Sequence, residues 1–245
     1  MSFRAVCKAD VVKSVIDSLS TLVDEAKFQV APEGLEVLAV DAAHVAMVDL
    51  SLSKAAFKNF EADEMELGID IDKLSDAVRL AGADDEIEIV LEDEGLLRLE
   101  IGNLTRRMSL VDTSGMTDPK IPDLDLPAVI KMPGAELDRG IKAAEGISDH
   151  VALHATAGGF ELSAEGDMDS VNLDLEKDTL LEHRASEEVR SLFSLDYFSN
   201  MVKVAKGAGT VTLRLGDDYP VRLGFEFADG EGEVTYLLAP RIESA

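Results

Sequence analysis

The order of helical and strand-like patterns in the first half of this 245-residue chain occurs again in its second half. A shift of 124 residues aligns a helix and two strands, and a third strand aligns after a slip of one residue. The aligned pairs are Asp72 with Asp196, Leu74 with Phe198, Val78 with Val202, Ile87 with Val211, Leu99 with Leu223, and Leu35–Val40 with Phe160–Glu165. Because one spacing holds across several elements, the pattern indicates an internal duplication. The alternative is a chance agreement between two amphipathic domains.

Each half is predicted to contain two short helices among strands. The predicted helices lie at 10–23, with Asp10 as the N-cap, from Asp72 to a stop at Gly82, at 135–145, and in the second-half copy around 196–206. The predicted strands of the first half lie at 28–30, 35–40, 45–52, 66–71, 87–91, 97–101 and 108–111. We therefore expect an α+β fold of two tandem similar domains, each with two helices backed by antiparallel sheets.

A proline-rich segment separates the two halves. Residues 115–127 contain Pro119, Pro122 and Pro127, which cannot donate to a strand ladder and favour extended backbone. The predicted organisation is a first domain at 1–114, a connecting loop at 115–127 and a second domain at 128–245. The apolar Ile121 and Leu126 indicate that this loop packs onto a domain or offers a docking edge.

The chain is strongly acidic, with 49 Asp and Glu against 23 Lys and Arg and a net charge of -26. Its 46% of hydrophobic residues is too high for a disordered chain, so the protein is expected to be folded and acidic. Such a surface repels itself unless salt screens it, which favours adaptation to a salt-rich cytosol. The alternative is an ordinary protein of unusual acidity. A single cysteine, Cys7, fits a reducing compartment.

No pattern of catalytic or metal-binding residues emerges from the sequence. The four histidines at 44, 150, 154 and 183 lack metal-ligand spacing, and no phosphate-binding glycine loop or nucleophile elbow occurs. With so many carboxylates, an acidic pair near any position carries little information. We therefore expect no catalytic residue, no metal and no cofactor. A carboxylate-based hydrolase is the enzyme alternative. No segment reaches the ~20 apolar residues that would span a membrane, and Arg4 and Lys8 interrupt any signal peptide.

The scarce positive charge falls on the polar faces of the predicted helices. Each helix presents at least one cation, since residues three or four apart are helix neighbours. The candidate DNA-binding residues are Lys13, Arg79, Arg139, Lys142, Lys203 and Lys206. The alternative is an ordinary solvated helix face with acidic partners nearby, such as Asp17, Asp76 and Glu145.

Three motifs resemble those of the proliferating cell nuclear antigen family of DNA sliding clamps. Residues 40–50 read VDAAHVAMVDL and resemble the family's Asp-x-x-His-Val stretch. Residues 237–243 read LLAPRIE and resemble its C-terminal ending, and residues 120–123 read KIPD and resemble its connecting loop. The resemblance covers the whole chain, and with the acidity it points to a halophilic archaeal member.

The resemblance implies a ring of three identical subunits that encircles double-stranded DNA. The helices would line the hole, with the six cations facing phosphates, and the sheets would form the outer shell. Strands near Arg107–Asp112 and Val171–Lys177 would pair between subunits. The partners implied are DNA polymerase, flap endonuclease, ligase and a clamp loader, and the location is the cytosol, in association with the nucleoid. An acidic adaptor of the same fold that does not encircle DNA is the alternative.

The resemblance also implies a pocket that binds short client peptides under the connecting loop. An apolar groove of this kind accepts the anchors of a short helical turn. The residues implied are Val40, His44, Val45, Met47, Ile121, Pro122, Leu126, Ser194, Pro220, Leu237, Leu238, Ala239 and Pro240. Leu237 departs from the tyrosine found in many relatives, which changes the aromatic preference expected for the clients.

Overall fold

A computed structural model describes residues 2–82, 84–92 and 95–242, and the chain divides into two compact units. Unit 1 consists of Met1–Lys120 with Glu226–Val234, and unit 2 consists of Ile121–Phe225 with Thr235–Ala245. The main division falls inside the proline-rich segment, and the sequence patterns do not predict that 226–234 belongs with unit 1. Glu243 of the C-terminal motif and the predicted boundary at 245 lie outside the described residues.

Unit 1 packs two helices against antiparallel strands. The helices are α1 (Ala9–Ser20) and α2 (Ile71–Val78), and the strands are β1 (Phe3–Lys8), β2 (Glu25–Ala31), β3 (Gly34–Val40), β4 (Ala46–Ser53), β5 (Asn59–Ala62), β6 (Met65–Asp70), β7 (Glu86–Glu92), β8 (Leu96–Ile101) and β9 (Leu104–Ser109). One sheet has the strand order β5-β1-β7-β8-β9, and the other strands follow the order β4-β3-β2-β6.

The helices of unit 1 begin without the caps that the sequence predicts. Strand β1 runs directly into α1, so Asp10 lies inside the first turn, and the N–H of Ala9 donates to the Asp85 carbonyl at 2.8 Å. Helix α2 is capped by Asp70, whose carboxylate accepts a hydrogen bond from the Lys73 N–H at 2.8 Å, and not opened by Asp72. The capping roles predicted for Asp10 and Asp72 were wrong, because the path of the preceding strand in the fold decides which residue lies at the N-cap.

Unit 2 has the same kinds of elements in the same order. The helices are α3 (Gly134–Ala144) and α4 (Leu195–Ala205), and the strands are β10 (Ala128–Pro133), β11 (His150–Thr156), β12 (Gly159–Glu165), β13 (Ser170–Glu176), β14 (Glu182–Ala185), β15 (Val189–Ser194), β16 (Thr210–Leu215), β17 (Val221–Phe227) and β18 (Gly232–Leu238). The strand orders are β14-β10-β16-β17-β18 and β13-β12-β11-β15. The first three residues of β18 belong to unit 1.

The strand orders confirm the predicted duplication. β5-β1-β7-β8 in unit 1 corresponds to β14-β10-β16-β17 in unit 2, and β4-β3-β2-β6 corresponds to β13-β12-β11-β15. The equivalent glycines Gly34 and Gly159 open β3 and β12, and at each a Cβ atom would lie 2.2 Å from a carbonyl oxygen of the neighbouring strand. Because only glycine permits that approach, both copies keep it. The predicted α+β class with two helices per domain is therefore confirmed.

The helices bury aliphatic faces at helical spacing. In α1 the buried residues include Val12, Val15, Ile16 and Leu19, and in α4 they include Phe198 and Val202. The opposite faces are left to solvent. Helix α2 ends at Val78 and α4 ends at Ala205, so Arg79 and Lys206 are the capping residues that follow, and not residues of the helices as predicted. Among the described residues, no helix is long and apolar enough to cross a membrane.

Candidate functional site

The candidate site begins with the helix faces that carry the predicted cations. In unit 1, Lys13 is half-buried, and its Nζ donates a hydrogen bond to the carbonyl oxygen of Ala81 at 2.6 Å. Arg79 follows α2 with 71% of its side chain exposed and pairs with Asp76 one turn earlier. Lys13 therefore ties α1 to the end of α2, whereas Arg79 points into solvent.

Unit 1 also has an exposed cation that the sequence reasoning missed. Lys73 lies in the first turn of α2 and forms an ion pair with Asp70 at 2.7 Å. The signal was present, because Lys73 stands three residues after the capping Asp70 on the solvent side of an amphipathic helix.

In unit 2, three charged residues form what we call the Asp138 cluster: Asp138, Lys142 and Lys206. The Asp138 side chain is only 12% exposed, and it accepts hydrogen bonds from Lys142 Nζ at 2.7 Å and from Lys206 Nζ at 3.3 Å. Burial by itself would raise the pKa of Asp138, but the hydrogen bonds from the two lysines outweigh it and hold that pKa below its ordinary value. The hydrogen bond to Asp138 in turn raises the pKa of Lys142.

A second charged contact joins α3 to α4. Glu145, which caps α3, accepts a hydrogen bond from the Ser199 hydroxyl and lies 3.2 Å from Lys203 Nζ. The hydrogen bond from Ser199, followed by that from Lys203, lowers the pKa of Glu145. On the solvent side of α3, Arg139 pairs with Glu136 at 2.7 Å.

Every predicted cation thus has a polar partner and, apart from Lys13, keeps 38–71% of its side chain exposed. Two of the acids named in the alternative interpretation, Asp76 and Glu145, do pair with cations. The partners hold the lysine and arginine stems in place while their heads remain open to solvent. The local charge is low, so these faces suit weak contact with phosphates better than tight electrostatic binding.

The loop after β3 in unit 1 is organised by a buried carboxylate. Asp41 is 5% exposed and accepts hydrogen bonds from the N–H groups of Ala43, Val45 and Ala46 at 3.0, 2.8 and 2.8 Å. His44 has a positive φ of 57° within this loop. The loop therefore presents His44 and Val45 to solvent in a fixed conformation, while Val40 and Met47 are half-buried at the strand ends. The pocket prediction did not include Asp41.

Unit 2 holds the rest of the predicted peptide-binding residues. Ile121 and Pro122 are exposed, Leu126 and Pro220 are half-buried, and Tyr219, which the prediction omitted, is 49% exposed. Of the C-terminal residues, Leu237 and Leu238 are buried, whereas Ala239 and Pro240 are half-buried. The N–H of Arg241 donates to the Leu192 carbonyl at 2.7 Å, which fixes the chain after Pro240. Ser194 lies directly before α4 and makes no side-chain cap.

Two chemical features of the residues that the structure describes are their potential to hold a metal ion and the reactivity of the thiol. Within residues 2–82, 84–92 and 95–242, no group of three or more His, Cys, Asp or Glu side chains could hold a metal ion. Burial raises the pKa of the only cysteine, Cys7, to about 12, so its thiol is not a nucleophile near neutral pH.

Duplicated domains, each with a helix pair that carries exposed cations and antiparallel sheets, define a clamp-type fold. The family model described as "Proliferating cell nuclear antigen, N-terminal domain" matches residues 3–105, and the model for the C-terminal domain of the same family matches residues 120–241. The chain belongs to the proliferating cell nuclear antigen family, as its three motifs indicated.

Named relatives match over nearly the whole chain. A DNA polymerase sliding clamp of Methanococcoides burtonii is 44% identical over 99% of both chains, and one of Halobacterium salinarum is 42% identical over 99% of both. A solved structure described as the C-terminal region of FEN-1 bound to A. fulgidus PCNA superposes with a TM-score of 0.95 at 36% identity, covering 99% of this chain and 100% of that one.

Proposed function

We propose that this chain is a DNA polymerase sliding clamp, a subunit of a closed ring that encircles duplex DNA and tethers replication and repair enzymes. The observation that carries the proposal is the match of both family domains, at residues 3–105 and 120–241, together with relatives named sliding clamps that match 99% of the chain. The helix pairs with exposed cations support it. The chain then acts as a processivity factor and binding platform and has no enzymatic activity of its own.

The ring is a homotrimer whose contacts run head to tail. β9 is the last strand of one sheet in unit 1, and β13 is the last strand of one sheet in unit 2. Within the described part of the chain, each of these strands has a strand partner on one side only. Pairing β9 of one subunit with β13 of the next removes both open edges, and three such heterologous contacts close the ring.

Contact with DNA relies on enclosure more than on charge. The proposed DNA-facing residues are Lys13, Arg79, Arg139, Lys142, Lys203 and Lys206, to which the structure adds Lys73 as a candidate. Because each cation already has a polar partner and phosphate affinity falls steeply with salt, these residues bind DNA weakly in a salt-rich cytosol. A closed ring needs no more, since it slides without leaving the duplex.

Clients bind through short peptides. The A. fulgidus relative was solved with the C-terminal region of FEN-1, which supports a peptide-binding surface in this chain as well. The exposed and half-buried apolar residues of unit 2, among them Ile121, Leu126 and Pro240, offer anchors for such a peptide. Polymerase, flap endonuclease, ligase and a clamp loader are the clients we propose.

The solution mass of the purified chain tests the ring. Light scattering after gel filtration in about 2 M KCl, where charge repulsion is largely screened, is expected to give about three times the 26.4 kDa chain mass. The same measurement in dilute buffer serves as the comparison, and we expect partial dissociation there, because a net charge of -26 repels itself. A monomer at high salt contradicts the homotrimeric ring.

One observation favours a second candidate, an acidic adaptor of the same fold that does not encircle DNA. Five of the six predicted cations form ion pairs with acids of the same helix pair, as the alternative interpretation expected. Stimulation of a polymerase on a closed circular template, where the ring must be loaded, separates the two functions, because an adaptor without a ring leaves DNA synthesis unchanged.

A further inference from the structure

In unit 2, the connecting loop is tied to strand β17 by one arginine. Val221, Leu223 and Phe225 of β17 are buried, so Arg222 lies on the opposite face of the strand. Its Nη2 donates a hydrogen bond to the Pro122 carbonyl oxygen at 2.9 Å, 100 residues away in sequence. The loop is thus held by a charged donor, Arg222, that belongs to strand β17 and not to the loop itself.

The far end of the same loop lies close to Gly216. A Cβ atom at Gly216 would lie 3.3 Å from Leu126 Cδ2 and 3.5 Å from the Asp125 carbonyl oxygen, so the loop passes close over this glycine. The turn beneath it is rigid, because the buried Ser191 hydroxyl donates to the Gly216 carbonyl at 2.8 Å and accepts from the Tyr219 N–H at 3.1 Å. Asp125 and Leu126 of the loop therefore lie over the turn at Gly216, and Pro122 is hydrogen-bonded to Arg222.

The composition of the loop explains why this tie matters. Pro119, Pro122 and Pro127 have no backbone N–H and cannot take part in a regular strand ladder, so a donor that reaches a loop carbonyl helps to fix the path of the loop. The Arg222 Nε atom is buried and has no hydrogen-bond partner among the described residues. Within the part of the chain that the structure describes, the guanidinium of Arg222 is therefore held by the hydrogen bond from Nη2 to the Pro122 carbonyl oxygen.

We propose that Arg222 is a positioning residue for client binding, which holds the connecting loop in its binding conformation before a peptide arrives. The inference rests on the proposed function, because it assigns the loop to the client site. A loop that must be ordered during binding lowers affinity, whereas one that is already fixed avoids that cost. Arg222 acts through the loop backbone and need not touch the peptide.

The test compares three substitutions in the full chain at about 2 M KCl. R222M removes the donor and keeps an apolar stem, R222K keeps a donor, and R214M is the matched control, because Arg214 is exposed on β16 directly opposite Arg222. Loop release is measured as the rate of trypsin cleavage after the exposed Lys120, identified by mass spectrometry. Client binding is measured by fluorescence anisotropy with a labelled peptide from the C-terminal region of a FEN-1 nuclease.

R222M is expected to be cleaved several-fold faster after Lys120 and to bind the peptide about 3–10-fold more weakly, the effect of losing one hydrogen bond of ordinary net strength. R222K is expected to keep most of the resistance to cleavage and most of the peptide affinity. R214M is expected to match the unsubstituted chain in both measurements. An unchanged cleavage rate and affinity in R222M overturn the proposal, as does an equal effect in R214M. If the unsubstituted chain binds no peptide, the proposed client function fails, while the cleavage rates still decide whether Arg222 holds the loop.

Discussion

In each unit a charged side chain of the first helix makes a polar contact with the segment at the end of the second helix, but the charge is positive in unit 1 and negative in unit 2. Lys13 and Asp17 in α1 occupy the positions that Asp138 and Lys142 occupy in α3, at a spacing of 125 residues. In unit 1 the lysine of the first helix donates to a backbone carbonyl beyond the second helix. In unit 2 the aspartate of the first helix accepts from Lys206, which follows the second helix. Each copy joins its helices by a polar contact at this point.

The reversal has a consequence for the surface. In unit 1 the ammonium group of Lys13 is engaged by a backbone carbonyl within the unit. Arg79 is then the predicted cation of unit 1 that remains open to solvent. An inward-facing aspartate instead holds Lys142 and Lys206 with their heads exposed, and Arg139 and Lys203 add to them. Unit 2 therefore presents most of the solvent-exposed positive charge that we propose faces DNA, although the two folds are equivalent.

Charge reversal in the two units is expected to give the largest difference. K142E with K203E in unit 2 should lower polymerase stimulation by about tenfold at the lowest salt at which the trimer persists, because two proposed phosphate contacts would become repulsive. K13E with R79E in unit 1 should lower it less. Primer extension on a closed circular template with clamp loader and polymerase measures both, and the difference should shrink as KCl approaches about 2 M.

Trimer mass is the control for these variants, since a dissociated ring would also fail in the assay. Equal losses from both pairs would contradict the uneven charge of the units. Unchanged stimulation in all variants would show that these helix faces do not approach DNA.

The two helix ties are expected to differ in their contribution to stability. D138N leaves two lysines without their buried carboxylate and should lower the free energy of unfolding by about 1–2 kcal/mol, discounted for the exposure of both lysines. K13M loses one hydrogen bond to a carbonyl and should cost about 0.5–1.5 kcal/mol. Urea unfolding at constant high KCl measures both, and a larger loss in K13M would invert the comparison.

The stability difference between the unsubstituted chain and D138N should depend on pH. The pKa of Asp138 is held below its ordinary value in the fold, so its ionised form stabilises the fold above the unfolded value of about 4. That stabilisation is lost as the pH falls through the folded pKa. The gap between the unsubstituted chain and D138N should therefore be constant at neutral pH and close in acid, whereas a gap that persists in acid would assign it to packing.

The smallest effects are expected for the exposed ion pairs. R79A and R139A each remove one partner of a solvent-exposed ion pair, with Asp76 at the end of α2 and with Glu136 in α3 respectively. Such pairs contribute about 0.5 kcal/mol or less, and high salt screens them further. Thermal unfolding should show both variants close to the unsubstituted chain, and a loss comparable to that of D138N would mean that these arginines hold more than a surface pair.

The sequence predicted the fold better than it predicted the polar contacts. The duplication, the two helices per half and the strand spacing could be predicted because apolar periodicity is a local property that burial preserves. Strand β9 was placed at 108–111 but spans Leu104–Ser109, since the alternation of an edge strand is weak. Asp138 and Asp41 were missed, because a buried carboxylate looks like any other acid in a chain that has 49 of them.

The sequence by itself determined the repeat, the family and the positions of the scarce cations, because each depends on the order of residues along the chain. The tertiary structure decided which cations face inward and which face solvent, since that depends on partners as distant as Ala81 from Lys13 and Lys206 from Asp138. It also decided the tie between Arg222 and Pro122, which joins two residues with no relation in sequence pattern. Long-range hydrogen bonds of this kind depend on the distances that the packed strands and helices set between donors and acceptors, and those distances cannot be read from the local pattern of residues.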